Sequence, residues 1–176
     1  MKVFIGGSRS IKTFEEPVRE ELYSIYQKGY DILIGDCRGV DTIVQSFYAD
    51  LHYGNVLVYA GNGKARNNVG NWRINAVPTD EKNKGFYFYR QKDLAMAEDA
   101  DCGFMIWDEK TRGTLNNMLN LCMREKPLLV YLSNRKKMLK LKTMSDLQLL
   151  VGLCDQQVKT MYSALIAETE LADAQI

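Results

Sequence analysis

His52 is the only histidine in the chain. A Ser-His-Asp triad, a histidine-rich metal site or a paired-histidine zinc protease motif would each have to pass through it, and its place after Leu51 at the end of an apparent helix suits a surface side chain. Cysteine is sparse and scattered: Cys37, Cys102, Cys122 and Cys154 form no C-x-x-C pair, which argues against a zinc site and a thioredoxin-type redox site. Reduced thiols are expected, and neither a metal nor a cofactor is. An excess of one charge is also missing. Lys plus Arg number 23 and Asp plus Glu 22, a formal net charge of +1, so no global field draws in a polyanion and a phosphate-bearing ligand needs a local set of donors. Extensive non-specific DNA coating is disfavoured. No run approaches the ~18 apolar residues of a membrane span, and only Val3, Phe4 and Ile5 precede Gly6-Gly7, too short a stretch for the apolar core of a signal peptide. These absences point to a cytoplasmic protein with no membrane partner, and 176 residues make one domain the default.

What is present is a repeating alternation. Residues 2–5 are a short apolar run stopped by Gly6-Gly7, which suits a buried strand entering a tight turn. From Phe14 to Lys28 the spacing becomes helical, with Val18, Leu22, Ile25 and Tyr26 on one face and Gly29 as terminator. Residues 31–35 read as a second strand, the stripe from Val40 through Val44, Tyr48 and Leu51 as a second helix, and residues 55–60 as a third strand. A polar stretch from Gly61 to about Gly85, containing Trp72 and Pro78, exceeds the ~12–15 residues usual for a structureless loop and so is expected to be functional or disordered. Trp72 and Arg66-Asn67-Asn68 make it either a lid or an ordered surface excursion. Helical spacing resumes near Tyr89, followed by a strand at 102–107, a helix at 113–125 and a strand at 127–132. The aromatic run Phe86-Tyr87-Phe88-Tyr89 reads as core packing, with base stacking as the alternative. Five uniformly apolar strands separated by helices must run parallel and be buried on both faces, so the chain reads as an α/β three-layer sandwich.

Past Leu132 the pattern changes. Arg135, Lys136, Lys137, Lys140 and Lys142 form a basic cluster read as a solvated connection, offset by Glu168, Glu170 and Asp173 downstream. Leu147, Val151, Cys154, Val158, Met161 and Leu165 are spaced four, three, four, three, four, a heptad seam on one helix or on two broken near Gly152. The seam must be covered by the core or by another subunit, and a homo-oligomer assembled partly through it is expected. The division is residues 1–133 as a nucleotide-binding domain and residues 134–176 as a C-terminal helical extension.

In a parallel α/β sheet, ligands bind at the carboxyl ends of the strands. Three strand-to-helix turns open there. The first offers Gly6, Gly7, Ser8, Arg9 and Ser10. The second offers Asp36, Arg38, Gly39 and Asp41, and the third Asp108, Glu109, Thr111, Arg112, Gly113 and Thr114 at the start of a helix, whose free N–H groups attract an anion. None is a Walker A or G-x-G-x-x-G sequence, yet three turns sharing Arg, Ser/Thr and Gly point to a phosphate-bearing small molecule. Asp41 reads equally as a helix cap and Asp36 as a turn former.

The strand into GGSRS, the strand into GDCRGVD followed by Gln45, and RQKDLAMAEDADCGFMIWDEKTRGTLNN at 90–117 resemble the SLOG superfamily, the group that includes LOG-type nucleotide phosphoribohydrolases and DprA-like proteins. The resemblance spans residues 2 to about 132 and implies a Rossmann-like fold with a central parallel sheet of about five strands and nucleotide binding at the rim. In the hydrolase branch it implies cleavage of the N-glycosidic bond of a nucleoside monophosphate. The hydrolases carry P-G-G-x-G-T-x-x-E, in which Gly-Thr amides meet the phosphate and the glutamate works with an arginine. Gly113 and Thr114 match, Arg90 or Lys92 matches the basic partner, and Asn117 stands at the glutamate position. Asparagine neither holds charge against a developing oxocarbenium ion nor activates water. If chemistry occurs, the substitute carboxylates are Asp36, Asp41, Asp108 and Glu109.

Three functions follow: binding or sensing of a nucleotide or nucleotide-derived small molecule, an N-glycosidase acting on a nucleotide, and a DprA-like single-strand binder. The neutral net charge argues against nucleic acid as the partner.

Overall fold

The computed structural model describes residues 1–80, 82 and 85–173. In chain order the elements are β1 (Lys2–Gly7), α1 (Glu16–Gln27), β2 (Asp31–Ile34), α2 (Val40–Asp50), β3 (Val56–Gly61), β4 (Arg73–Val77), α3 (Phe86–Asp99), β5 (Cys102–Trp107), α4 (Arg112–Met123), β6 (Leu128–Leu132), β7 (Lys137–Leu141), α5 (Met144–Gly152) and α6 (Gln156–Asp173). The strands form one sheet in the order β4-β3-β2-β1-β5-β6-β7, parallel throughout except for β7, which pairs antiparallel with β6. The molecule is a Rossmann-like α/β three-layer sandwich.

Alternation along the strands divides the core. Val3, Ile5, Ile32, Ile34, Val58, Phe104 and Ile106 face α1 and α2, while Phe4, Leu33, Tyr59, Met105 and Trp107 face α3, α4 and the C-terminal helices. The chain winds leftward from β1 through β2 to β3 and returns to the right through β5 and β6. The direction therefore reverses at β1, and the crevice outside the carboxyl ends of β1 and β5 is where such a sheet accepts a ligand.

The sheet has seven strands instead of about five, because two edge strands carry no buried apolar run. β4 lies inside the long polar connection, and both Arg73 and Ile74 in it are exposed, with Val77 packing partly against the core; a strand so thinly covered reads as loop. Residues 81, 83 and 84 of that connection lie outside the described residues. The basic cluster is solvated but only partly a connection: Arg135 and Lys136 lie in the turn between β6 and β7, and Lys142 follows β7. Lys137 and Lys140 belong to β7, where exposed lysines on an edge strand discourage pairing with another chain. The segment after residue 133 thus starts as part of the sheet. Glu168 pairs with Arg90 and Arg112 rather than with the cluster, and the side chain of Asp173 lies outside the described residues.

The heptad seam is two helices, broken between Gly152 and Gln156. Thr143 and Asp146 close a capping box at the start of α5. Leu147, Val151, Cys154, Val158 and Leu165 are buried in the same core cluster as Leu115 and Leu119 of α4. The seam closes on its own core, so the reason for expecting an oligomer through it is removed. Among the described residues, no helix is long and apolar enough to cross a membrane.

Candidate functional site

The first two glycine turns build the rim by interlocking. A Cβ on Gly7 would lie 2.2 Å from the Ile106 carbonyl oxygen and 2.8 Å from Val40 Cγ2, and one on Gly39, whose φ is +79°, would lie 2.5 Å from Arg9 Cα. The turn after β1 is therefore clasped between the end of β5 and the start of α2. Ser8 is fully buried; its N–H donates to the Ile106 carbonyl (3.0 Å) and its hydroxyl accepts from the Asp108 N–H (3.0 Å). The Ser10 hydroxyl donates to Asp108 Oδ2 (2.6 Å), and Asp108 Oδ1 accepts from the N–H groups of Lys110 (3.0 Å) and Thr111 (2.8 Å). Burial raises the Asp108 pKa, but the donors of Ser10, Thr111 and Lys110 outweigh it and hold the carboxyl below its ordinary value. Ser8, Gly39 and Asp108, expected as ligand or catalytic residues, are scaffold and lie outside the lining of the cleft that follows.

That cleft, of about 310 Å³, sits at the β1/β5 crevice. It brings together most of the expected residues: Gly6 and Gly7 from β1, Arg9, Asp41, Arg90, Lys92, and then Thr111, Arg112, Gly113, Thr114 and Asn117 at the start of α4. Phe4, Phe86, Tyr89 and Met96 are its apolar lining; Phe86 and Tyr89, at the two ends of the aromatic run, face the cleft, and Phe86 also packs against the core. Thr111 Oγ1 is turned toward Asp108 (2.8 Å) and does not cap α4. The first N–H groups of a helix have no intrahelical acceptor, so those of Arg112, Gly113 and Thr114 remain available at the positive end of the helix dipole. Thr114 Oγ1 and Asn117 Oδ1 are buried and have no hydrogen-bond partner among the described residues.

Beneath the cleft lies a buried charge cluster. Lys92 is only 3% exposed, and its Nζ stands 2.6 Å from Asp93 Oδ1. Asp41 accepts the Cys37 N–H (3.0 Å). Gly35 makes room for both groups, since a Cβ there would fall 2.5 Å from Asp41 Oδ2 and 2.8 Å from Lys92 Nζ. Burial pushes the Asp41 pKa up to about 6 despite the nearby ammonium. Burial opposes the charge on Lys92, but Asp93, Cys37 and Asp41 together hold its pKa above the ordinary lysine value. Asp93 escaped the sequence reading because it adjoins Lys92, and consecutive helical residues do not normally share a face.

No family model matches the chain, and no curated protein matches it. A likeness of fold is found among solved structures. DNA processing protein A from Helicobacter pylori, a protein with a unique single-stranded DNA binding mode, aligns with a TM-score of 0.54 at 13% identity, covering 96% of this chain and 81% of that one. At that identity the likeness is one of fold.

Other expected site residues leave the main cleft. Asp36 forms a two-pronged pair with Arg66 (3.0 and 2.7 Å) and also accepts the Arg66 N–H (3.0 Å). Burial opposes its charge, but these bonds prevail and keep its pKa low. Gln45 joins Gly35 to Val69 by donating to the first (2.8 Å) and accepting from the second (2.9 Å). Residues 62–72 are thereby pinned as an ordered surface excursion, with Arg66 lying 4.1 Å over the Tyr89 ring. Two adjoining grooves result, one holding Arg9, Asp36, Arg38 and Arg66 and the other Lys64, Arg66, Phe88 and Tyr89. Glu109, at φ +58°, is turned away altogether, its Oε1 lying 2.7 Å from Arg135 Nε and 3.9 Å from Cys154 Sγ. It ties the β5–α4 turn to the C-terminal extension. Of the four proposed substitute carboxylates, only Asp41 lines the main cleft.

Proposed function

We propose that the chain binds a nucleotide, or a small molecule derived from one, with a phosphate against the N-terminus of α4. The observation that carries this reading is the pair of buried side-chain oxygens, Thr114 Oγ1 and Asn117 Oδ1, without partners in a cleft also lined by Arg9, Arg90 and Arg112. A buried polar group left unpaired costs about 1–3 kcal/mol, and a ligand offering a phosphate acceptor to Thr114 and a hydroxyl or amine donor to Asn117 removes that cost. The partly exposed rings of Phe86 and Tyr89 suit a planar base. Calorimetric titration tests the reading: nucleoside monophosphates should bind at least ~10-fold more tightly than the matching nucleosides, since a charge-assisted bond contributes about 1.5–3 kcal/mol. Equal affinities would remove the phosphate from the argument.

Turnover is not expected. Asp93 is paired with the Lys92 ammonium and Asp41 accepts the Cys37 N–H, and Asn117 supplies no charge where a glutamate would stabilise an oxocarbenium ion. A general base contributes ~10²- to 10⁴-fold, so base release from nucleoside monophosphates should be undetectable in the native protein and measurable by chromatography in Asn117→Glu. Rapid release by the unmutated chain would point to Asp41 or Asp93 as a working carboxylate.

A second reading is favoured by the two adjoining grooves, which extend the basic surface through Arg38, Lys64 and Arg66; the structural neighbour binds single-stranded DNA. The salt slope separates the two. For a single strand, log K falls by about 0.7 per phosphate contacted for each unit of log salt, so an oligonucleotide spanning all three grooves gives a slope of about −2 or steeper. A mononucleotide in the main cleft gives a much shallower dependence.

A further inference from the structure

On the cleft's outer wall, one carboxylate faces two guanidinium groups. Val158 and Leu165 anchor α6 in the core, and Glu168, three residues beyond Leu165, falls on the same helical face. Its Oε1 stands 2.5 Å from Arg112 Nη2, while its Oε2 is 3.7 Å from Arg90 Nη1, too far for a hydrogen bond. Arg90 Nη2 donates to Thr169 Oγ1 (3.3 Å), and Arg112 lies 4.2 Å over the Phe86 ring. Both arginines line the cleft. Arg90 Nε, Arg112 Nε and Glu168 Oε2 are all buried without a hydrogen-bond partner among the described residues.

We infer that Arg90 and Arg112 form a second anion subsite, occupied in this structure by the Glu168 carboxylate, and that the ligand of the cleft is a nucleoside diphosphate, whose second phosphate displaces Glu168. The inference rests on the proposed function and gives it a substrate class. Each guanidinium carries five N–H donors in a fixed fork. A single carboxylate meets two such forks poorly, as the two orphaned Nε atoms show. A terminal phosphate has three oxygens and up to two charges, so it reaches both forks and matches their combined charge better. The first phosphate takes the α4 amides and Thr114. The second takes the two arginines, and the end of α6 then loses the ion pairs that hold it against the cleft.

The test compares nucleoside mono- and diphosphates, with orthophosphate and pyrophosphate as probes that carry no base, on the full chain and on Glu168→Gln. Because the competing charge is removed, Glu168→Gln should bind diphosphates and pyrophosphate about tenfold more tightly, a change of 1.4 kcal/mol, with monophosphate affinity altered less than threefold. Arg112→Gln in the Glu168→Gln background should abolish that gain. In the native chain, diphosphate binding should speed amide hydrogen exchange in α6 beyond Leu165, and monophosphate binding should leave it unchanged. An equal gain for mono- and diphosphates, or none for either with α6 exchange unaltered, would overturn the subsite. Tighter binding of a single-stranded oligonucleotide but not of diphosphates would also overturn it, assigning the arginine pair to nucleic acid. Failure of the parent reading looks different: Gly113→Val would then leave every affinity unchanged, whatever Glu168→Gln does.

Discussion

Gly113→Val is expected to weaken nucleotide binding by at least ~100-fold while leaving the fold intact. A Cβ at Gly113 meets nothing within 4 Å, and Gly113 both lines the cleft and follows the first residue of α4. The valine methyls would enter the space where a phosphate approaches the helix amides. Losing two charge-assisted bonds of about 1.5–3 kcal/mol each gives the stated factor or more. Stability should hold or rise slightly, because valine is a few tenths of a kcal/mol better than glycine inside a helix. Titration calorimetry and thermal unfolding of the same sample measure both halves of the claim. A folded variant with unchanged affinity would remove the third turn from the site. Alanine at Gly7 should do the reverse and destabilise the fold, since its Cβ collides with the Ile106 carbonyl.

Lys92→Met should destabilise the protein by about 3–5 kcal/mol at neutral pH, the usual penalty for removing one partner of a buried ion pair. The methionine side chain is of similar length, so the loss is of charge rather than volume, and it leaves Asp41 and Asp93 without their cation. The effect should shrink in acid. Lys92 titrates above the ordinary lysine value, so its contribution is complete below that value, is therefore fully present at neutral pH, and is lost only as pH rises through the raised value. Asp41, raised to about 6, binds its proton more tightly in the folded than in the unfolded chain, so this group favours folding as pH falls from about 6 toward the ordinary 3.8. Without Lys92 the Asp41 pKa climbs further and the carboxyl is neutral sooner. Urea denaturation of both proteins at pH 8, 7 and 5.5 should show the gap narrowing with acidification. A gap below about 1 kcal/mol at every pH would mean that the cluster is hydrated rather than buried.

The five inner strands and the helices between them were legible in the chain because parallel strands covered on both faces carry continuous apolar runs. The start of α4 was legible too: Arg112, Gly113 and Thr114 open a helix in the structure, as the turn after the fourth apolar strand predicts. The edge strands were not, since β4 and β7 bury too little to impose a pattern, and the lysines of β7 read as solvated charge.

Which charges would meet was decided by tertiary structure. Asp36, Asp41, Asp108 and Glu109 are equivalent as turn carboxylates in the sequence. The fold gives Asp36 to Arg66, Asp41 to the neighbourhood of Lys92, Asp108 to Ser10 and its own turn, and Glu109 to Arg135. Glu168 reaches Arg112 across 56 positions. Hydrophobic periodicity is a local property that the backbone repeats every two or 3.6 residues. An ion pair forms only at contact distance, and contact between remote segments exists only once the layers have packed.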